Sequence, residues 1–213
     1  MDTYVLVDFD GTITKEDTCY AMVKAFAKDG WQEIEKDWEE GKITTEECAL
    51  ETFKLMDMDE EKLKSLLLTM EIDLYFKDFM EFCKDRGYKV IIVSDGYDFN
   101  IRTVLDKYNI GIEYFSNKLD FRDGKIVASF NTSDDCDKCG SCKLDILKKY
   151  KNENTRIIYI GDGYSDICIS KHADLLFAKG VLLKYCEDNG IPFVPFGDFR
   201  DIMEYLEKSD KLF

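Results

Sequence analysis

Contiguous apolar runs bounded by turn residues recur at Tyr4 to Val7, Val90 to Val93 and Ile157 to Ile160, and more weakly at Leu175 to Ala178 and Phe193 to Val194. Short runs of this kind, rich in β-branched side chains and separated by helical patterns, predict strands buried on both faces of a parallel sheet. The expected fold is therefore α/β, a Rossmann-like parallel sheet with helices on both faces.

Over seventy residues with helical periodicity separate the first two strands. The spacing predicts helices near 17–29, 31–40, 44–57 and 59–69, and a fifth near 75–86 that leads into the second strand. Thr44 with Glu47 fits a capping box, Gly30 and Gly41 are stop signals, and Asp59 can cap the helix that carries Leu63, Leu66 and Leu67. One strand-to-helix connection cannot use so much helix. Residues 13–75 are accordingly expected to form a helical cap domain inserted after the first strand, with 1–12 and 76–213 forming the core. Ligands of open α/β sheets bind beyond the carboxyl ends of the strands, which is where this insertion begins. A small β-hairpin is predicted between Ile112 and Phe130, turning at Arg122-Asp123-Gly124.

Composition narrows the function classes. The formal net charge of -15 comes from 29 basic and 44 acidic residues with no basic run, which argues against nucleic acid and against an anionic membrane surface. No apolar run approaches the roughly 18 residues of a membrane span, and the chain enters a strand at once without the pattern of a signal peptide. A cytoplasmic location is the expectation. With one histidine, His172, a Ser-His or Cys-His hydrolase has no independent support, and His172 is expected on a helix following Asp166 in a structural role.

The three strongest strands each end in polar residues. The first gives Asp8, Asp10, Gly11 and Thr12, the second Ser94, Asp95 and Gly96, and the third Asp162 and Asp166. Parallel strands bring these ends to one edge, so several carboxylates converge. Like charges there would be costly without a counterion, and a hard divalent cation such as Mg²⁺ suits oxygen ligands and phosphate. Any one of these Asp residues could equally be a helix cap and any one glycine a tight turn; their joint occurrence favours a site.

"DFDGTIT", "VSDG", a Lys and "GDGYSD" occur in that order, and the chain thereby resembles the haloacid dehalogenase superfamily of phosphatases, in the branch of phosphoserine phosphatase with a helical cap after the first strand. The resemblance implies Asp8 as nucleophile, forming an aspartyl-phosphate, and Asp10 as the acid/base. It implies Mg²⁺ held by the Asp8 side chain, the Asp10 backbone carbonyl and Asp162, with Asp166 supporting the metal waters or the Lys. Thr12, Ser94 and the backbone N–H groups around Gly11, Asp95 and Gly96 would bind the phosphoryl oxygens. The matching Lys is Lys143, which would neutralise both Asp8 and the transferring group. The substrate is then a small phosphorylated metabolite. Phosphoserine is disfavoured because no Arg lies between Ile13 and Phe79. "SDGYDF", "CGSCK" and the segment from Ala173 to Phe199 look more like the methionine-salvage branch, whose members act on 2-hydroxy-3-keto-5-methylthiopentenyl-1-phosphate. Phosphatases of pyridoxal phosphate and phosphocholine share parts of the pattern, and a catalytically silent binding or regulatory protein on the same fold is the alternative from another class.

Cys136, Cys139 and Cys142 stand at two-residue spacing, and three thiols with a fourth ligand can hold Zn²⁺. The competing reading is plain reduced thiols in the loop before Lys143; an iron–sulfur cluster would need four protein ligands.

Overall fold

The computed structural model describes residues 1–132 and 139–210. The strands are β1 (Asp2–Val7), β2 (Lys89–Tyr97), β3 (Glu113–Arg122), β4 (Lys125–Ser129), β5 (Thr155–Gly161), β6 (Leu175–Ala178) and β7 (Val194–Pro195). Among the described residues they form one sheet in the order β4-β3-β2-β1-β5-β6-β7. Every neighbouring pair is parallel except β3 with β4. The fold is thus the expected α/β one.

The hydrophobic runs explain the layering. Side chains alternate across a strand, and in β1 Val5 and Val7 face one side while Leu6 faces the other, all three fully buried. Val5 and Val7 belong to the larger core, which collects Ile92, Ile158, Ile160 and Phe177 from the sheet. Helices α5 (Phe76–Asp85), α6 (Asp98–Lys107) and α10 (Phe199–Asp210) pack there through Phe79, Val104 and Phe199 among others. Leu6 joins Ile91, Val93, Ile157 and Tyr159 on the opposite face, under α7 (Lys143–Tyr150), α8 (Ile167–Ser170) and α9 (Gly180–Asn189).

Four helices lie between β1 and α5: α1 (Thr18–Phe26), α2 (Trp31–Glu39), α3 (Thr45–Leu55) and α4 (Glu60–Leu67). Each N-terminus is signalled locally, except that of α2. Asp17 accepts the Tyr20 N–H, Thr44 and Glu47 form a reciprocal box, and Asp59 accepts the Lys62 N–H. Gly30 precedes α2 with φ +107°, a turn that favours glycine. This stretch is pinched twice. Near its ends Thr14 bridges Ile72, Lys15 N–H bonds to the Glu71 carbonyl and Asp73 N–H to the Ile13 carbonyl. Further out Ala27 bridges Met56, with Lys28 N–H on the Leu55 carbonyl and Asp57 N–H on the Phe26 carbonyl.

The expected hairpin is present: β3 pairs antiparallel with β4 through a turn at Asp123 and Gly124, both at positive φ, and from Glu113 β3 also pairs in parallel with β2. Pairing of β2 with β3 supplies the hydrogen bonds that an isolated hairpin would lack. One expectation is corrected: His172 lies in the exposed turn after α8, not on a helix, because α8 ends at Ser170 and the chain drops into β6.

The aromatic cluster beneath the sheet gives a stability test. Phe199 is fully buried, with ring centroids 5.0 Å from Phe76 and 4.9 Å from Phe79. Phe199→Ala is expected to lower the unfolding free energy by about 3–5 kcal/mol, read from urea denaturation midpoints.

Candidate active site

Because β1, β2 and β5 run parallel, their carboxyl ends open on one edge, and there the polar residues meet. Asp8 is 4% exposed; its N–H continues the sheet to the Ile160 carbonyl at 2.9 Å. Its carboxylate accepts the Phe9 N–H at 2.7 Å and the Lys143 ammonium at 2.8 Å. Lys143, the first residue of α7, is 1% exposed and also donates to Asp166 at 2.6 Å. The Asp166 oxygens are fully engaged. Oδ1 takes Lys143 and the Tyr159 hydroxyl, and Oδ2 takes the N–H groups of Asp162 and Gly163, each at 2.9 Å. Asp166 is thereby tied to the Lys, one of the two roles expected of it.

Oxygens of Asp8, Asp162 and Asp166 all lie within 4.8 Å of one another. Three carboxylates facing one ammonium leave a formal charge of about -2 in a low-dielectric setting. The consequence is visible in their proton affinities. Burial first, and Asp166 next, push Asp8 well above the ordinary carboxylate range against the pull of Lys143. Burial likewise raises Asp162 to about 6, with the Thr12 hydroxyl opposing it. For Lys143, burial pulls the ammonium down, but Asp166 and Asp8 outweigh it and hold its pKa above the usual value. Charge of that sign and density, presented by oxygen donors, fits a hard divalent cation.

Asp10 is held differently. Its Oδ1 accepts both the N–H of Thr18 at 2.8 Å and the Thr18 hydroxyl at 2.6 Å, while Asn100 donates to that hydroxyl at 3.0 Å. Burial and then the neighbouring Asp17 raise Asp10 to about 7, which suits a group that gives and takes a proton near neutrality. Close approach explains two glycines. A Cβ on Gly96 would sit 2.4 Å from Asp10 Oδ2, and one on Gly11, which has φ +73°, would sit 2.5 Å from Asp162.

The remaining expected residues divide. Ser94 is buried, its hydroxyl oxygen accepting the Gly96 N–H at 2.9 Å, so its proton stays available to a ligand. The Thr12 hydroxyl donates to Asp162 at 2.6 Å. The Asp95 side chain turns towards the loop before α7, where it receives the Ser141 N–H at 2.5 Å. Cys136 lies outside the described residues. Cys139 and Cys142 are buried and join no cluster of three metal-ligating side chains among the described residues, so the Zn²⁺ expectation finds no support. Sequence reasoning missed Thr18, Asn100, Asn117 and Tyr159. Tyr159 looked like one more apolar strand position, and the others carry no motif.

Beside Asp95 a cavity of about 370 Å³ opens under α1–α3. Tyr20, Trp31, Trp38, Phe53 and Tyr97 give it aromatic walls, Met22, Met56, Cys19 and Cys48 add sulfur, and Asp17 and Glu35 are its other carboxylates. No Lys or Arg lines it among the described residues. Trp38 closes its outer side, donating to Thr45 at 3.0 Å and meeting the Tyr164 ring edge-on at 6.0 Å.

These features have known counterparts. The family model described as Putative Phosphatase matches residues 3–179, and the chain belongs to that family of haloacid dehalogenase-type phosphatases, enzymes that hydrolyse phosphomonoesters. It is 32% identical over 208 residues to a 2-hydroxy-3-keto-5-methylthiopentenyl-1-phosphate phosphatase of Geobacillus thermodenitrificans, covering 95% of this chain and 94% of that protein. A protein of the same name from an Exiguobacterium species is 31% identical over 212 residues, covering 97% and 98%. Among solved structures, a phospho-aspartyl intermediate analogue of phosphoserine phosphatase superposes with a TM-score of 0.73 at 25% identity, covering 96% of this chain and 98% of that one. No helix among the described residues is long and apolar enough to cross a membrane.

The raised carboxylates link stability to pH. A carboxylate that holds its proton more tightly when folded stabilises the fold while protonated, and that contribution is lost as pH rises from the unfolded value near 4 through the folded one. With Asp95 and Asp162 at about 6 and Asp10 at about 7, the Tm of chelator-treated protein is expected to fall between pH 5 and 7.5. The fall should reach about 3 °C or more, the size that ~1 kcal/mol gives for a chain of this length. Differential scanning calorimetry checks it, and a flat or rising Tm contradicts it.

Proposed function

We propose that this chain is a Mg²⁺-dependent cytoplasmic phosphatase that acts through an aspartyl-phosphate on Asp8, with residues 13–75 as a cap over a core of 1–12 and 76–213. The observation that carries the reading is the buried Lys143 ammonium 2.8 Å from Asp8, at the edge where three strands end in carboxylates. An Asp8 oxygen attacks phosphorus while Lys143 balances the charge on the transferring oxygens. Ser94, Thr12 and N–H groups around Gly11, Asp95 and Gly96 orient them. Asp10, protonated at the start, gives its proton to the leaving oxygen. It then takes a proton from the water that opens the acyl phosphate, dividing one displacement into two. The Asp8 and Asp162 side chains and the Asp10 carbonyl would hold Mg²⁺. When bound it would offset the carboxylate charge and let a phosphate dianion approach.

The leaving group is read from the cavity. Aromatic and sulfur-bearing walls with the three carboxylates of Asp17, Glu35 and Asp95, and no cation among the described residues, repel an anionic group and accept a neutral, apolar one. That supports 2-hydroxy-3-keto-5-methylthiopentenyl-1-phosphate, the substrate in the names of the relatives at about 30% identity. Phosphoserine, whose carboxylate would need a cation, suits these walls poorly despite the likeness of fold.

Asp8→Asn is expected to reduce turnover by at least about a thousandfold with an unchanged circular dichroism spectrum, since an amide cannot form the covalent intermediate. Substantial residual activity would exclude Asp8 as nucleophile. Exhaustive chelation should abolish hydrolysis and Mg²⁺ restore it, with Ca²⁺ unable to replace it because of its looser, higher coordination. In a comparison of substrates, kcat/KM for the methionine-salvage enol phosphate should exceed that for phosphoserine by at least about a hundredfold, the scale on which an unpaired buried charge discriminates. Equal values would remove the substrate assignment while leaving the phosphatase reading intact.

A further inference from the structure

Lys143 must be held to within a fraction of an ångström, yet the start of its helix has no side-chain cap of its own: Cys142 stands at the N-cap position and makes no capping hydrogen bond through its side chain. The restraint comes from elsewhere. The pairing of β2 with β3 runs from Val93 opposite Phe115 to Tyr97 opposite Asn117, with Ser94, Asp95 and Gly96 set against Ser116 alone. This bulge aims the Asp95 carboxylate out of the strand, and Oδ1 receives the N–H of Ser141 at 2.5 Å.

Asn117, fully buried, fills the break. Its Nδ2 donates to the Asp95 carbonyl at 2.7 Å and to Asp95 Oδ1 at 3.3 Å, and its Oδ1 accepts the Asn131 N–H at 3.2 Å. Asn131 in turn donates through Nδ2 to the Ser116 carbonyl at 2.6 Å and accepts the Cys142 N–H on its own carbonyl at 3.2 Å. The two amides immediately before Lys143 are therefore both fastened to the β2–β3 bulge. The loop lies so close that a Cβ on Gly140 would meet Asp95 Oδ1 at 2.8 Å and Asn117 Nδ2 at 3.0 Å. The Ser141 hydroxyl has no hydrogen-bond partner among the described residues, so the fastening runs through backbone, not through that side chain.

We propose that Asp95, backed by Asn117, is the positioning residue for Lys143, fixing the start of α7 by accepting the Ser141 N–H. The proposal rests on the phosphatase reading only in the use that is made of Lys143; the fastening itself does not depend on it. Burial raises Asp95 to about 6, and the Lys143 charge and the Ser141 amide oppose that rise, which agrees with a carboxylate committed to this loop.

Two measurements on the full chain test it. By NMR, amide exchange at Ser141 should be at least about tenfold faster in Asp95→Ala than in wild type, as expected when a buried hydrogen bond is lost, and this readout is independent of turnover. In kinetics with a generic aryl phosphate, Asp95→Ala should lose about a hundredfold in kcat with KM changed less than about threefold, the scale of a small misplacement of a catalytic group. Asp95→Asn, which keeps an acceptor in the same place, should recover to within about tenfold of wild type on the same grounds. Ser141→Ala should change neither readout. Should Asp95→Ala fold poorly, Asn117→Ala tests the same chain of bonds from behind, with the same expected signs. Unchanged exchange at Ser141, or a raised KM at constant kcat, overturns the proposal. A wild type inactive on every phosphomonoester, with faster Ser141 exchange in the variant, would defeat the phosphatase reading and still support the fastening.

Discussion

One ammonium stands between two buried carboxylates, and the arrangement of the molecule follows from that. Lys143 bonds to Asp8 and Asp166 with virtually no exposure to solvent. Taking such charges out of water costs several kcal/mol each, and their mutual attraction offsets this only when geometry is close and remaining lone pairs are satisfied. The sheet supplies both conditions. Asp8 continues β1, Asp166 is caught by two backbone N–H groups and Tyr159 at the end of β5, and α7 brings the Lys from the side. With Asp162 added, the balance is still negative. Three carboxylates against one ammonium is the balance that the proposed divalent ion would complete.

Charge also divides the labour between the two sides of the cleft. The edge of the sheet collects the Lys and the donors proposed to bind phosphate, whereas the wall made by α1–α3 carries aromatic rings, sulfur and carboxylates. A phosphomonoester has one strongly anionic end. A pocket whose far wall repels anions selects the orientation of the molecule as well as the kind of group that leaves.

Much of this was legible from residue order. The apolar runs at Tyr4, Val90 and Ile157 mark strands that lie side by side, and motif order alone brings Asp8, Asp10, Asp162, Asp166 and Lys143 together, because motif spacing along parallel strands translates directly into one edge. Local signals also worked where the physics is local: the Thr44 box and the Asp59 cap are formed within three residues. What could not be read was side-chain direction at long range. Asp95 looked like part of a phosphate loop, and only the bulge in β2 turns it towards Ser141, 46 residues away. Asn117 and Asn100 sit among ordinary strand and helix positions with no pattern to mark them. The turn at Asp123 and Gly124 marks the hairpin, but its alternation does not disclose that β3 begins against β2.

The double pinch between β1 and α5 has a consequence for how such a chain can change. Because Ala27 meets Met56 and Thr14 meets Ile72, the polypeptide leaves and re-enters at adjacent points on two nested levels. Each level is topologically a closed ornament: whatever is strung between its ends need only return to the same spot. The outer ornament, α2 and α3, holds Trp31, Glu35, Trp38, Cys48 and Phe53, which line the cavity, while Asp10 and Lys143 lie wholly outside it. Lineages can therefore exchange that segment, in length as well as in composition, and so acquire new specificity without renegotiating the chemistry.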